Sequence, residues 1–298
     1  MTVTHLQRPS TVAGTPAKPT GRPRRTTGRH GGPMVYTLLT ITVVLSLFPL
    51  YWIFVAASRT NAELNSTTPP LFPGARLFGN IQAATEQAAI GRALVISLVV
   101  SLAVALGAVV TSTLAGFALS HLHIRGQRLW MAGIVATMMV PLQLGVIPLF
   151  IVMARLDLVG NPIAVILPYL ASAFCVFFMR QYLVTAMPGE LLEAGRVDGA
   201  STRRIFWSIV FPIARPGMAV LAMLTFMTSW NEFFWPIVVL NGDNPTTQVA
   251  ISQLGQGYVH DQSVILAGTL LCTVPVIVVF AALGRQIVGG ILQGAVKS

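Results

Sequence analysis

Chemistry needs side chains that can ionise, attack or ligate, and this chain has few of them. Its 298 residues include nine Asp and Glu, five His and two Cys. The only lysines are Lys18, which precedes a proline, and Lys297, which follows Val296. Neither sits in the GxxxxGK arrangement that wraps nucleotide phosphates, so the chain is not expected to bind ATP by itself. There is no HExxH, no GxSxG and no pair of carboxylates within an apolar run, which argues against an enzyme. Cys175 and Cys272 lie inside apolar runs without metal-ligand spacing and read as packing residues. No metal or cofactor is expected on this chain.

Two places remain. The first is Glu190–Pro212, a charge-rich interruption between long apolar runs. Pro188 suits the first turn of a helix, where its missing N–H costs nothing. Glu190 follows where a carboxylate favours the positive helix end. Leu191, Leu192 and Ala194 supply an apolar side, and Gly195 and Gly199 let the helix end and turn. Ser201 suits the N-cap of a second helix, with Arg203 and Arg204 exposed. Pro212 and Pro216 then lead back into an apolar run. The predicted product is a compact knob of two short helices, fit for docking; a plain solvated connection is the alternative.

The second is Glu232, the one acid inside an apolar run, within Trp230-Asn231-Glu232-Phe233-Phe234-Trp235-Pro236. An ionised group at membrane depth is costly and usually faces a cavity or a partner. Counted from Pro216, Glu232 lies roughly 24 Å along a helix, toward the outer interface. Two readings follow: an interfacial acid flanked by belt aromatics, or a polar pathway lining formed with Trp230, Asn231 and Trp235. His121 and His123, at the end of another apolar run, read as solvated interfacial residues.

The elements that hold these residues are expected to be membrane helices. Only 9% of residues are charged, against about 25% in soluble domains. Mean hydropathy is +0.73. A chain so poor in charge cannot cover itself with polar surface, so the bilayer is its solvent. Residues 1–33 predict a disordered basic tail. The net charge of +10 could suggest nucleic acid. The basic residues sit in the tail and between apolar runs, however, and point to lipid headgroups instead. Met34–Ala57 is uncharged and longer than the apolar core of a signal peptide, so it begins a set of six spans.

Ser58 to about Ala88 predicts an external loop. The next spans are Arg92–Arg125, then Arg128–Arg155 bent at Pro141 and Pro148. A fourth ends near Arg180 and contains Pro168, a fifth runs from Pro216 to about Leu240, and Asp261–Arg285 with Pro275 is the sixth. Residues 241–261 form a polar connection, and a short glycine-rich tail ends the chain. Ala103, Gly107, Thr111 and Ala115 recur every four residues, a spacing that lets helices approach closely in lipid. Six spans place both termini on one side, together with fifteen of the nineteen Lys and Arg. The positive-inside rule makes that side cytoplasmic. Residues 34–298 then form one six-helix domain carrying the knob at 185–212.

The knob carries a resemblance. Glu193-Ala194-Gly195, three residues, Gly199, nine residues and Ile209-Val210-Phe211-Pro212 resembles the EAA loop of binding-protein-dependent ABC importer permeases. Gly195 replaces the second Ala of that pattern and Phe211 replaces Leu; Asp198-Gly199-Ala200-Ser201 matches its Asp-Gly-Ala run. The Trp230–Pro236 segment and the ending Gly294–Ser298 are similar to the carbohydrate, maltose-permease-like subfamily. The resemblance extends over nearly all of residues 34–298. It implies an all-α, six-helix, type I ABC importer permease in the bacterial plasma membrane. It also implies a second permease subunit, an ATPase pair holding ATP and magnesium, an extracytoplasmic solute-binding protein and a sugar. Glu190, Glu193, Ala194, Gly195, Asp198, Gly199 and Ala200 would dock on the ATPase, with Ile209 and Pro212 as the brace. The other possibilities are an ion-coupled secondary transporter and an ABC permease for a non-sugar solute.

Overall fold

The computed structural model describes residues 32–240, 242–256 and 260–295, including their side chains except at Leu142 and 283–295. The expected basic tail lies outside the described residues through residue 31, as do Val296, Lys297 and Ser298. Among the described residues every regular element is helical.

The chain divides into two units, 1–48 and 49–298. In the first, the described residues form the start of α1 (Pro33–Ala57). The Thr37, Thr40 and Thr42 hydroxyls donate to carbonyls four residues back, so these polar groups are satisfied inside the helix. The second unit holds the end of α1 and then α2 (Asn61–Leu64), α3 (Leu77–Ala88), α4 (Ile90–His121), α5 (Gln127–Met138), α6 (Val146–Arg155), α7 (Ile163–Tyr169), α8 (Ala173–Ala186), α9 (Gly189–Val197), α10 (Thr202–Ile205), α11 (Phe211–Trp230), α12 (Phe234–Val239), α13 (Thr247–Leu254) and α14 (Gln262–Ala295). Four helical stretches are long and apolar enough to cross a membrane alone: Pro33–Ala57, Ile90–His121, Thr202–Trp230 and Gln262–Ala282. Two bent pairs raise this to six if each is one span.

The axis of the second unit is α4, against which α8 and α11 pack most extensively. Its buried face is largely small: Ala93, Ser97, Ser101, Ala105, Ala108 and Gly116. At Gly116 a Cβ would stand 2.8 Å from the Arg180 nitrogen and 2.9 Å from the Met179 carbonyl carbon. Helices α4 and α8 therefore meet there backbone to backbone. Two positions of the four-residue stripe serve packing within the chain. Gly107 faces the Leu170 side chain, and the Thr111 hydroxyl donates to the Leu170 carbonyl.

Several boundaries differ from the expectation. Ser58–Ala88 is not simply a loop, because its polar residues are used as internal ties. The Asn80 amide donates to the carbonyls of Ala57 and Arg59, each at 2.8 Å. Thr60 and Glu63 form a capping box that starts α2. The 241–261 connection holds α13, whose first N–H, from Thr247, donates to the buried Ser97 hydroxyl at 2.8 Å. The run expected to be one helix from Pro216 to Leu240 is interrupted after Trp230. Pro236 has no N–H to continue a helix, yet it is tolerated in the first turn of a new one, and α12 starts accordingly at Phe234. The glycine-rich ending continues α14 to Ala295. Pro148 and Pro275 lie inside helices, whereas helix breaks fall beside Pro141 and just after Pro168.

Candidate functional site

The predicted knob is built on α9, which has two faces. Glu190, Glu193, Ala194, Val197 and Asp198 are exposed, Val197 to 88%. Leu192 is buried with Leu183, Met187, Phe117, Ile205 and Phe206 in the core shared with α4 and α8. Gly195 does not end the helix. It sits mid-helix, where a Cβ would come within 3.2 Å of Ile205 Cγ1 and 3.4 Å of Ile209 Cδ1. Its missing side chain lets α9 lie close on the following segment.

The turn is made at Gly199, whose φ of +74° suits glycine. There the Ala200 N–H donates to the Gly195 carbonyl at 2.9 Å. Ser201 caps the next helix, its hydroxyl oxygen accepting from the Arg204 N–H at 3.3 Å. That helix is not a separate short piece: α10 runs through one wide turn into α11. The Phe211 N–H donates to the Phe206 carbonyl five residues back. The wider turn relieves the clash that the Pro212 ring would otherwise make with the preceding turn. Ala200 and Ile209 are half-buried against the core, and Pro212 is exposed. On the outer side the Trp207 ring stands 5.3 Å from Phe211, over which the Arg215 guanidinium sits at 5.3 Å.

One tie to the knob has no signal in the sequence. His121, at the last turn of α4, has Nε2 3.0 Å from the Met187 carbonyl and Nδ1 2.6 Å from the Ser120 hydroxyl. A carbonyl only accepts, so Nε2 carries the proton. The residue before Pro188 is thereby pinned to α4, and this histidine is half-buried rather than solvated. His123 is exposed.

The second feature is a cleft where three helices are interrupted. Residues from the α5–α6 break (Val140, Gln143), the α7–α8 break (Ala171, Ser172) and the α11–α12 break (Glu232) line a hollow of about 530 Å³. A second hollow of about 280 Å³ shares Tyr169, Ser172, Phe174 and Glu232 with it. This one reaches Val104, near the midpoint of α4.

Glu232 Oε1 accepts from the Trp235 N–H at 3.2 Å. Trp235 forms part of the cleft wall, and its indole N–H donates to the Ala164 carbonyl at 3.0 Å. Trp230 stands outside both hollows, buried with Phe226 and Ala105. Asn231 is exposed, its amide donating to the Met227 carbonyl. Among the described residues no cluster of three metal-ligating side chains forms.

The comparisons with known proteins agree with this geometry. The family described as "Binding-protein-dependent transport system inner membrane component" matches residues 108–291, which include the knob and the Glu232 break. The chain is 32% identical to the lactose transport system permease protein LacG of Rhizobium radiobacter over 88% of its own length and 95% of that protein. It is 33% identical to the sn-glycerol-3-phosphate transport system permease protein UgpE of Escherichia coli O1:K1, over 87% of this chain and 95% of that one. In fold it is similar to a chain of a bacterial ABC transporter involved in the import of the acidic polysaccharide alginate. The TM-score is 0.73 at 23% identity, over 85% of this chain and 94% of the other. A broken-helix cleft, a knob on the core and these likenesses converge on one assignment: the chain belongs to the inner-membrane components of binding-protein-dependent transport systems, as a multi-pass permease subunit.

Proposed function

We propose that the chain forms half of the membrane path of an ATP-driven carbohydrate importer and takes its energy through α9. The observation that carries this is the construction of the knob. An apolar tip at Ala194 and Val197 stands exposed among Glu190, Glu193 and Asp198, while Leu192 and Gly195 lock its base into the core shared with α4 and α8. A push on such a tip displaces the helices beneath it. The cleft supplies the other half of the argument, because interrupted helices are tolerated at membrane depth where they line a cavity.

In this reading the chain crosses the membrane six times, the bent pairs α5–α6 and α7–α8 each counting as one span, with both termini and α9 in the cytoplasm. A second permease completes the path. A pair of ATPase subunits, which hold ATP and magnesium, grips the α9 turns, and an external solute-binding protein delivers the sugar. Hydrolysis then shifts the permease between inward- and outward-open states. A sugar is favoured by likeness to the lactose permease and by the hydroxyl and aromatic lining of the cleft.

The test is affinity purification of the tagged chain from its native membrane. An ATPase subunit is expected with the wild type. Gly199→Val, which cannot adopt the required turn comfortably, should insert normally and abolish uptake. Uptake that continues after ATP depletion would contradict the reading.

A further inference from the structure

The cleft also bears on the charge of the solute. Glu232 lines both hollows, and the Trp235 N–H holds one of its carboxylate oxygens at the helix break. Around it stand the hydroxyls of Tyr169, Ser172 and Thr228, the amide of Gln143 and the rings of Phe174 and Trp235. Among the described residues no Lys, Arg or His lines either hollow. An anion in this space meets a like charge with no cation from this chain beside it, and the surrounding apolar walls strengthen the repulsion. A neutral polyol meets acceptors, donors and ring faces, which is what a sugar needs. The relatives do not decide the matter, since one is named for lactose and another for sn-glycerol-3-phosphate.

We infer that Glu232 is a specificity-determining residue that makes this cleft selective for uncharged, hydroxyl-rich solutes over anionic ones such as sugar phosphates. The inference rests on the reading of the cleft as the solute path, and it names the substrate class of that path.

The experiment uses the intact transporter, purified with its partner chains in nanodiscs and without the solute-binding protein, so that only the cleft discriminates. Ligand-detected NMR measures binding of lactose and of lactose 6-phosphate at constant ionic strength. The wild type should favour lactose by about tenfold or more. Glu232→Gln should bring the two within about threefold, mainly by a gain for the phosphate. Glu232→Asp, which keeps the charge, should keep the preference and so guards against a merely damaged fold. Equal binding of the two sugars to the wild type, no binding of either, or an unchanged ratio in Glu232→Gln would each overturn the inference. The importer reading fails on a different observable, the absence of an ATPase subunit from the purified complex.

Discussion

The two ends of α4 differ in how much of their hold is directional. They lie about 48 Å apart for a helix of this length. Near Ile90, an apolar cluster with Ala84, Ala250, Leu254 and Val264 is crossed by directional bonds that reach far along the chain. Arg92 donates to Asn244 Oδ1 at 2.9 Å, Asn244 donates to the Gly160 carbonyl at 3.1 Å, and the Ser97 hydroxyl accepts from the Thr247 N–H. Asn61 adds bonds to His260 and Gln262. Near His121 the ties are mostly apolar: Phe117, Met187, Leu192, Ile205 and Phe206 interlock, with His121 to Met187 and the Gln127 amide to the Leu119 carbonyl as polar exceptions. A hydrogen-bonded network holds one register and makes a frame. Under the proposed function, an interlocked apolar base that moves as a body with the helices it touches serves as a lever.

Gly116→Leu would force apart two backbones that now touch, and overpacking of this kind costs about 3 kcal/mol or more. The expected outcome is loss of folded permease, read as yield and thermal unfolding in detergent. Unfolding at the wild-type temperature would refute the close crossing.

A matched pair sharpens the contrast between lever and frame. Leu192→Ala at the lever should cost about 2–5 kcal/mol of packing and reduce ATPase recovery and uptake. Asn80→Ala at the frame leaves two carbonyls without their partner and should cost about 1–3 kcal/mol. Its transition temperature should fall while ATPase recovery holds. Equal loss of ATPase recovery in both variants would erase the distinction.

The smallest effect concerns the frame's surface. The Glu63 carboxyl is held below its usual pKa by the Thr60 N–H and hydroxyl and by Arg59, with which it makes a salt bridge at 2.9 Å. A depressed folded pKa means that the tie is complete above the unfolded value and is lost as pH falls through the lowered one. Local amide exchange around Leu64, corrected for its intrinsic rate, should therefore quicken only in acid. Glu63→Gln should remove that pH dependence.

The lever was easier to read from sequence than the cleft, for a physical reason. A proline before a helix, a glycine at a left-handed turn and a serine cap act on neighbours within a few residues, so Pro188, Gly199 and Ser201 announce themselves. Gly195 reads from spacing as a helix end, whereas its constraint comes from Ile205 and Ile209 across the turn. Gly116 and His121 act on α8 and on Met187, which spacing alone does not reveal. Hydropathy counts apolar residues without testing continuity, so it does not reveal the breaks at 170–172 and 231–233. Polar stretches around Asn80 and Thr247 read as loops because their hydrogen bonds are spent inside the protein.

The central claim is that the exposed α9 tip is the cytoplasmic seat of a separate ATPase. Val197→Cys tests it most directly, since the native Cys175 and Cys272 are buried. A membrane-impermeant maleimide should label Val197→Cys in inside-out vesicles stripped of peripheral subunits. It should leave right-side-out vesicles unlabelled, and labelling should fall when the ATPase is restored. Labelling from the external face, or labelling indifferent to the ATPase, would contradict the account.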